Sequence, residues 1–300
     1  MAYFDREYLK LVKTIFKEGE LVKNRTGVDS IKIPDWYFKF DLEKEFPVLT
    51  IKQSFLRQAV LEMLWIYQQQ SNEVKWLQDR DVHIWDEWEI DKNGLWTATQ
   101  YLPNEDGVLE KREITKEYGK EFAGTIGKAY GYQVKKHQFT QKIINTLKTN
   151  PTDRGMVISL LQEEDLPYGV LRSCVWSVMF DVTKGRLNSI VNQRSCDVPL
   201  GLPFNVPQYA VFQHMLAQVT GYKPGTMVFN IKDTHIYVNQ VEQMKEVVRR
   251  GDNLEDLEAP TLWINPNVDD FFKFDSSKEC KDVKVLNYKH HGRLVIPISK

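Results

Sequence analysis

The sequence predicts an α+β fold, one domain in which helices cover a large mixed or antiparallel sheet. Three stretches carry that reading. Residues 55–67, FLRQAVLEMLWIY, place apolar side chains at helical spacing without Pro or Gly, which predicts a largely buried helix containing Glu62. Between 157 and 192 the pattern changes to VISLL, CVWSVMFDV and LNSIVN, β-rich runs that read as antiparallel strands, the last two joined by a hairpin at TKG, 183–185. After PFNVP, residues 208–219 set Val211, Phe212, Met215, Leu216 and Val219 on one helical face, with Gly221 as the stop.

The other stretches fit around these. Residues 89–123 are polar and charge-rich and include NGLW and LPNEDG, the composition of turns or of a polar insertion between firmer elements. No internal repeat, low-complexity tract or linker divides the chain, so residues 1–300 are expected to form a single catalytic domain. Strand order is not encoded in such patterning.

Composition narrows the function classes. Hydrophobic residues make up 42% and charged residues 27% of the chain, a globular profile. With 40 Lys and Arg against 41 Asp and Glu, the formal charge of -1 supplies no field for drawing in a polyanion, so no DNA partner is implied and any phosphate must be met locally. The N-terminus MAYFDREYLK lacks the apolar core of a signal peptide, and no segment offers 18 apolar residues for a membrane span, so the expected location is cytoplasmic. Cys174, Cys196 and Cys280 are too scattered for a disulfide framework and form no CxxC pair for zinc.

Chemistry-bearing residues concentrate in a few places. Cys174 leads into a strand with Arg172 two residues before it. A thiolate beside a cation is a competent nucleophile, but a cysteine at that place also suits packing. The segment NQRSCDVPLGLPFN, 192–205, gathers Asn192, Gln193, Arg194, Ser195, Asp197 and Asn205. Arg194 offers a donor fork for phosphate, Ser195 a hydroxyl, and Asn205 an amide that can donate to and accept from a pyrimidine edge, while Cys196 suits packing. In NIKDTHIYVNQ, 230–240, period-two alternation puts Asp233, His235 and Tyr237 on one strand face. NRTG at 24–27 sets Arg25 beside a Gly turn, suited to an anion or to solvent. Trp85 and Trp88 in HIWDEW form either a wall for a heterocycle or a core edge.

Taken in order, NRTG, LEMLW, HIWDEW, IGKAYG, CVW, NQRSCDVPLGLPFNVPQY and DTHIYVNQ resemble the successive signature segments of the thymidylate synthases, over roughly residues 20 to 300. That resemblance implies an α+β domain, a homodimer with its sheets back to back, and reductive methylation of dUMP at C5 with 5,10-methylenetetrahydrofolate as co-substrate, no metal being required. It implies Cys174 as nucleophile, and Arg25, Arg194 and Ser195 on the nucleotide phosphate together with Arg154 contributed in trans. Gln193 belongs to the same neighbourhood. By the same resemblance Asn205 reads the uracil edge, and His235 with Tyr237 holds the sugar 3′-hydroxyl. Glu62 organises proton transfers, Tyr130 stands near the C5 proton, Trp85 and Trp88 wall the co-substrate site, and Asp197 contacts the folate.

The chain also departs from the family pattern. The usual Pro-Pro-Cys-His is Arg172, Ser173, Cys174, Val175, so no imidazole flanks the thiol, although some members carry valine there. The usual Arg-Arg pair is Arg154-Gly155, one phosphate donor fewer, with Arg172 a candidate to take its place. The terminus PISK, ending in Lys300, replaces the small apolar ending whose carboxylate closes over ligands in the family. Two other readings fit the same residues: a deoxyuridylate hydroxymethylase, in which water replaces hydride, and a catalytically silent nucleotide-binding or interaction protein.

Overall fold

The computed structural model describes residues 1–299. Along the chain it contains α1 (Tyr3–Glu18), β1 (Glu20–Val22), β2 (Ser30–Asp41), α2 (Leu56–Tyr67), α3 (Val74–Gln78), β3 (Leu95–Pro103), β4 (Leu109–Glu117), α4 (Gly131–His137), α5 (Phe139–Thr149) and β5 (Val157–Ser159). There follow β6 (Val175–Thr183), β7 (Arg186–Gln193), β8 (Cys196–Asp197), α6 (Leu202–Thr220), β9 (Lys223–Tyr237), α7 (Val241–Asn253), β10 (Thr261–Ile264) and β11 (Val283–Leu286). The main sheet has seven strands in the order β1-β2-β9-β7-β6-β5, with β8 also paired to β9. It is mixed, as expected: β9 runs parallel to β7 and β8, and the other pairs are antiparallel.

Register explains how one sheet serves two environments. Phe38, Phe229, Val191, Val178 and Ile158 lie opposite one another across five strands, and all are buried. One residue along, the row Lys39, Val228, Ile190, Met179 and Val157 crosses the same strands on the other face. There Val157, Met179 and Ile190 remain exposed, as the alternation of side chains along a strand requires. The β6–β7 hairpin turns at Lys184 and Gly185, with φ of 54° and 71°, the left-handed pair whose twist suits a two-residue connection.

The parallel β7–β9 pair needs a crossover, and α6 supplies it. The helix begins at Leu202, six residues before the sequence pattern suggested, so Asn205 lies on its first turn and not in a loop. Pro203 sits in that turn, where no amide partner is lost, and Pro207 is accepted one turn later inside a helix buried on nearly every side. Gly221 ends it in the left-handed conformation, φ 80°, as expected. Helix α2, expected from 55, runs from Leu56 and packs on α6. Residues 95–117 form a separate two-stranded hairpin, β3 with β4. No helix among the described residues is long and apolar enough to cross a membrane. Lys300 lies outside the described residues.

Candidate active site

The site grows from the end of β7. Gln193 pairs with Ile231 of β9 and Cys196 with Thr234, so Arg194 and Ser195 sit at a kink between β7 and β8. Across β6 the amide of Arg194 donates to the carbonyl of Cys174 at 2.9 Å, carrying the ladder past Val175 and bringing residue 174 beside residue 194. The Arg194 guanidinium is then held by the backbone, donating through Nε to the Ser173 carbonyl at 3.1 Å and through Nη2 to the Arg172 carbonyl at 2.7 Å. Its Nη2 lies 4.0 Å from Cys174 Sγ. The cation facing the thiol is therefore Arg194. Arg172, offered by sequence adjacency, is exposed and contributes its carbonyl to the clamp on Arg194.

Burial pushes the Cys174 thiol up from its ordinary value. Arg194 and then Tyr130 oppose that shift, Glu62 adds to it, and Arg25 opposes it. Tyr130 also fixes the segment by accepting the Cys174 amide on its hydroxyl at 2.8 Å. It does so from a left-handed backbone, φ 47°, a conformation costly for a side chain with a Cβ. The surroundings enforce it. A Cβ on Gly131 would run into the Ser71 carbonyl, so the chain enters α4 tight against residue 71. Gln133 and Lys136 of α4 bond Asp165 at 3.1 and 2.5 Å, and Lys128 reaches the same buried carboxylate at 3.2 Å.

Facing this cluster is Glu62 on α2. It accepts from Trp85 Nε1 on Oε1 at 2.6 Å and from Gln208 Nε2 on Oε2, also at 2.6 Å. Desolvation raises its pKa to about 7 against these two bonds, which leaves a carboxyl poised to exchange a proton near neutrality. Trp85 meets Tyr130 edge-on at 5.2 Å and Trp88 at 5.6 Å, so the first indole is a buried brace for Glu62 and the second is half-exposed beside it. Asn205 Nδ2 lies 3.5 Å from Gln208 Oε1.

A second arm comes from β9. Asp233, φ 47°, breaks the strand's alternation: buried positions pass from Phe229 and Ile231 to Thr234 and Ile236. The bend switches which face is buried, and beyond it Asp233, His235 and Tyr237 follow one another at period two, with Thr234 and Ile236 buried between them. Ser195 donates to Asp233 Oδ2 at 2.9 Å, Lys32 pairs with Oδ1 at 3.0 Å, and His235 Nδ1 stands 2.8 Å from the Asp233 carbonyl with its ring edge-on to Tyr237 at 4.9 Å. Gln193 is buried and bonds the Ser195 carbonyl at 2.9 Å. Asp197 accepts from the Leu200 amide at 3.2 Å and from Gln240 at 3.1 Å, and burial raises its pKa. Lys52 and His235 act on Asp197 in the opposite sense, and burial lowers Lys52 itself to about 8.

Arg25 is exposed on the 24–28 loop, and its charge favours the ionised forms of both Cys174 and Tyr237. Arg154 is exposed in the segment leading to β5.

The sequence matches the thymidylate synthase family model over residues 6–300. It is 41% identical to a thymidylate synthase of Clostridium beijerinckii over 300 residues, covering 100% of both chains. The chain belongs to the thymidylate synthase family.

A thymidylate synthase of Bacillus phage phi3T is 34% identical, again over 100% of each chain. The solved thermostable thymidylate synthase A from Bacillus subtilis superposes with a TM-score of 0.81 at 33% identity, covering 98% of this chain and 99% of that one. The α+β fold expected from sequence is thus that of the thymidylate synthases. Residue-level patterning missed three members of the constellation. Gln208 lies one helical turn beyond Asn205, a spacing that becomes visible only once α6 starts at Leu202. Lys52 is a charge directly after the apolar run FPVLTI, which is a signal of a buried cation. Gln240 closes DTHIYVNQ and carried no signal of its own.

Proposed function

We propose that this chain catalyses the reductive methylation of dUMP at C5 with 5,10-methylenetetrahydrofolate, giving dTMP and dihydrofolate through a covalent bond between Cys174 and C6. The observation that carries the reading is the nucleophile's setting: a thiol 4.0 Å from a backbone-clamped arginine, its amide held by Tyr130, opposite a carboxyl with a pKa of about 7.

C5 of a pyrimidine becomes nucleophilic only after a thiolate adds to C6. The S–C6 bond then forms, the C5–C6 π pair moves through C4, and charge develops on O4. In this reading Asn205 meets the N3–H and O4 edge, and Glu62 exchanges protons at O4 through water. Tyr130 stands where the C5 proton leaves, and the Cys174 thiolate departs once C5 carries its methyl group. Bound methylenetetrahydrofolate supplies both the one-carbon unit and the hydride. The residues suit it chemically: the Trp88 indole is half-exposed beside Trp85, and Asp197 is a half-buried carboxyl for a polar heterocycle edge. Arg25, Arg194 and Ser195 would hold the phosphate with Gln193 in support, and His235 with Tyr237 the 3′-hydroxyl.

The same reading makes residues 1–300 one cytoplasmic catalytic domain, with the 95–117 hairpin as its polar insertion. It makes the active form a homodimer. The exposed apolar row Val157, Met179 and Ile190 supplies a face for a second sheet, and Arg154 then serves the partner's phosphate site. The test is to incubate the protein with dUMP and methylenetetrahydrofolate, identify the nucleotide by mass and follow dihydrofolate by absorbance. Thymidylate formed one-for-one with dihydrofolate is expected, with dCMP rejected because it presents the opposite polarity at both positions Asn205 reads. Hydroxymethylated product with tetrahydrofolate retained, or binding without product, would overturn the assignment.

A further inference from the structure

The β3–β4 hairpin takes no part in the chemistry above. None of its residues is fully buried and it pairs with no strand of the main sheet, so by itself it would be marginal. It is nevertheless pinned to three loops around the site. Trp96 Nε1 donates to the Glu87 carbonyl at 2.9 Å, beside Trp88, and Lys116 Nζ donates to the Pro167 carbonyl at 2.6 Å.

The third attachment falls on the Arg25 loop. The Tyr101 amide donates to the Arg25 carbonyl at 2.8 Å. The Tyr101 ring lies flat against Gly27, so near that a Cβ there would come within 2.6 Å of ring Cγ. Gly27 also has φ 73°, so two independent constraints demand glycine. The loop's own bonds, Asn24 Oδ1 to the Thr26 amide at 2.9 Å and Asn24 Nδ2 to the Val28 carbonyl at 2.9 Å, shape the turn but do not orient it on the body of the protein. The loop is tied to the end of β9 on one side, where the Val238 amide donates to the Asp29 carbonyl at 2.9 Å and Thr26 bonds the Tyr237 side chain, and Tyr101 seats Arg25 and Gly27 on the other; the Arg25 charge favours the ionised forms of Cys174 and Tyr237.

We propose that Tyr101 is a positioning residue for Arg25, so that the polar hairpin sets affinity for the nucleotide's 5′-phosphate. The inference rests on the nucleotide reading above. It predicts a penalty that depends on the phosphate and spares the chemistry.

The test uses the full chain and folate-independent dehalogenation, with an added thiol as the reductant that takes up bromine and ends as disulfide, of two substrates, 5-bromodeoxyuridylate and the phosphate-free 5-bromodeoxyuridine, alongside steady-state turnover of dUMP. Tyr101→Ala is expected to raise KM for dUMP about tenfold, with kcat within about twofold, the loss of one well-aligned charge-assisted contact. The nucleotide-over-nucleoside preference in dehalogenation falls by the same factor, and Tyr101→Phe, which keeps the ring and the amide, restores both. Gly27→Ala, which pushes the ring away, gives the same phenotype, and the double variant costs less than the sum of the two. A KM within about twofold of the unmodified protein, or an equal loss on nucleotide and nucleoside, overturns this inference alone. An unmodified chain that leaves 5-bromodeoxyuridylate intact overturns the nucleotide reading and the inference with it.

Discussion

Gln208 donates through Nε2 to Glu62 Oε2 at 2.6 Å, while its Oε1 lies 3.5 Å from Asn205 Nδ2, so a single buried amide joins the proton-handling carboxyl to the proposed uracil reader. It fixes the Gln208 rotamer and leaves the Asn205 carbonyl free for a ligand.

The same bond sets a pH dependence. Burial raises Glu62 to about 7, and the bonds from Trp85 and Gln208 hold it down, so Gln208→Leu is expected to move the carboxyl's limb of the kcat profile to higher pH. Glu62→Gln removes that limb and lowers kcat by roughly 100-fold or more. Stability follows the same linkage. A carboxyl raised from 4.5 to about 7 stabilises the fold fully below 4.5 and loses that contribution as pH rises through 7. Glu62→Gln should therefore gain on the unmodified protein between those limits, by up to about 3 kcal/mol in urea unfolding. A constant difference across that range would contradict the assignment.

The thiol offers a second check. Because Arg194 is the largest influence opposing burial at Cys174, Arg194→Gln should shift the pH midpoint of Cys174 alkylation by iodoacetamide upward. Cys174→Ala is expected to abolish dehalogenation of 5-bromodeoxyuridylate while nucleotide binding survives. Cys196, fully packed, should tolerate alanine at a cost of about 1 kcal/mol.

Tyr130 and Gly131 make a third. A Cβ at 131 collides with the Ser71 carbonyl, which cannot swing away as a side chain would, so Gly131→Ala should lower stability by about 1–3 kcal/mol in thermal unfolding. Tyr130→Phe leaves the Cys174 amide without its acceptor and should reduce kcat with little change in KM for dUMP. An unchanged kcat would remove Tyr130 from the mechanism.

The assembly can be tested from its apolar row. Met179→Asp, at the centre of the row, should yield monomers in sedimentation experiments and strip activity, because Arg154 would no longer reach a partner's site. Mixing inactive Cys174→Ala with inactive Arg154→Ala subunits should restore activity, since each hybrid contains one site with both residues. No recovery after subunit exchange would place Arg154 outside the site.

Family membership, helix α2, the β6–β7 hairpin, the Gly221 stop and the cluster at 192–205 were legible in the sequence, because each rests on local patterning or a contiguous motif. Apolar periodicity declares a helix, two left-handed residues declare a tight turn, and signature segments declare a family. What spans the chain was not legible. The β7–α6–β9 crossover makes β9 parallel to β7, and the bend at Asp233 brings Ser195 to its carboxylate. Helix α6 starts at Leu202 despite two prolines because one occupies the first turn and burial absorbs the other. The cation beside Cys174 is 20 residues away in sequence and arrives through a ladder register, whereas Arg172, the near neighbour, points to solvent. Local residue types specify what a segment can form. Which side chains share a low-dielectric cavity, and so shift one another's proton affinity, is decided only when long-range packing excludes water around them.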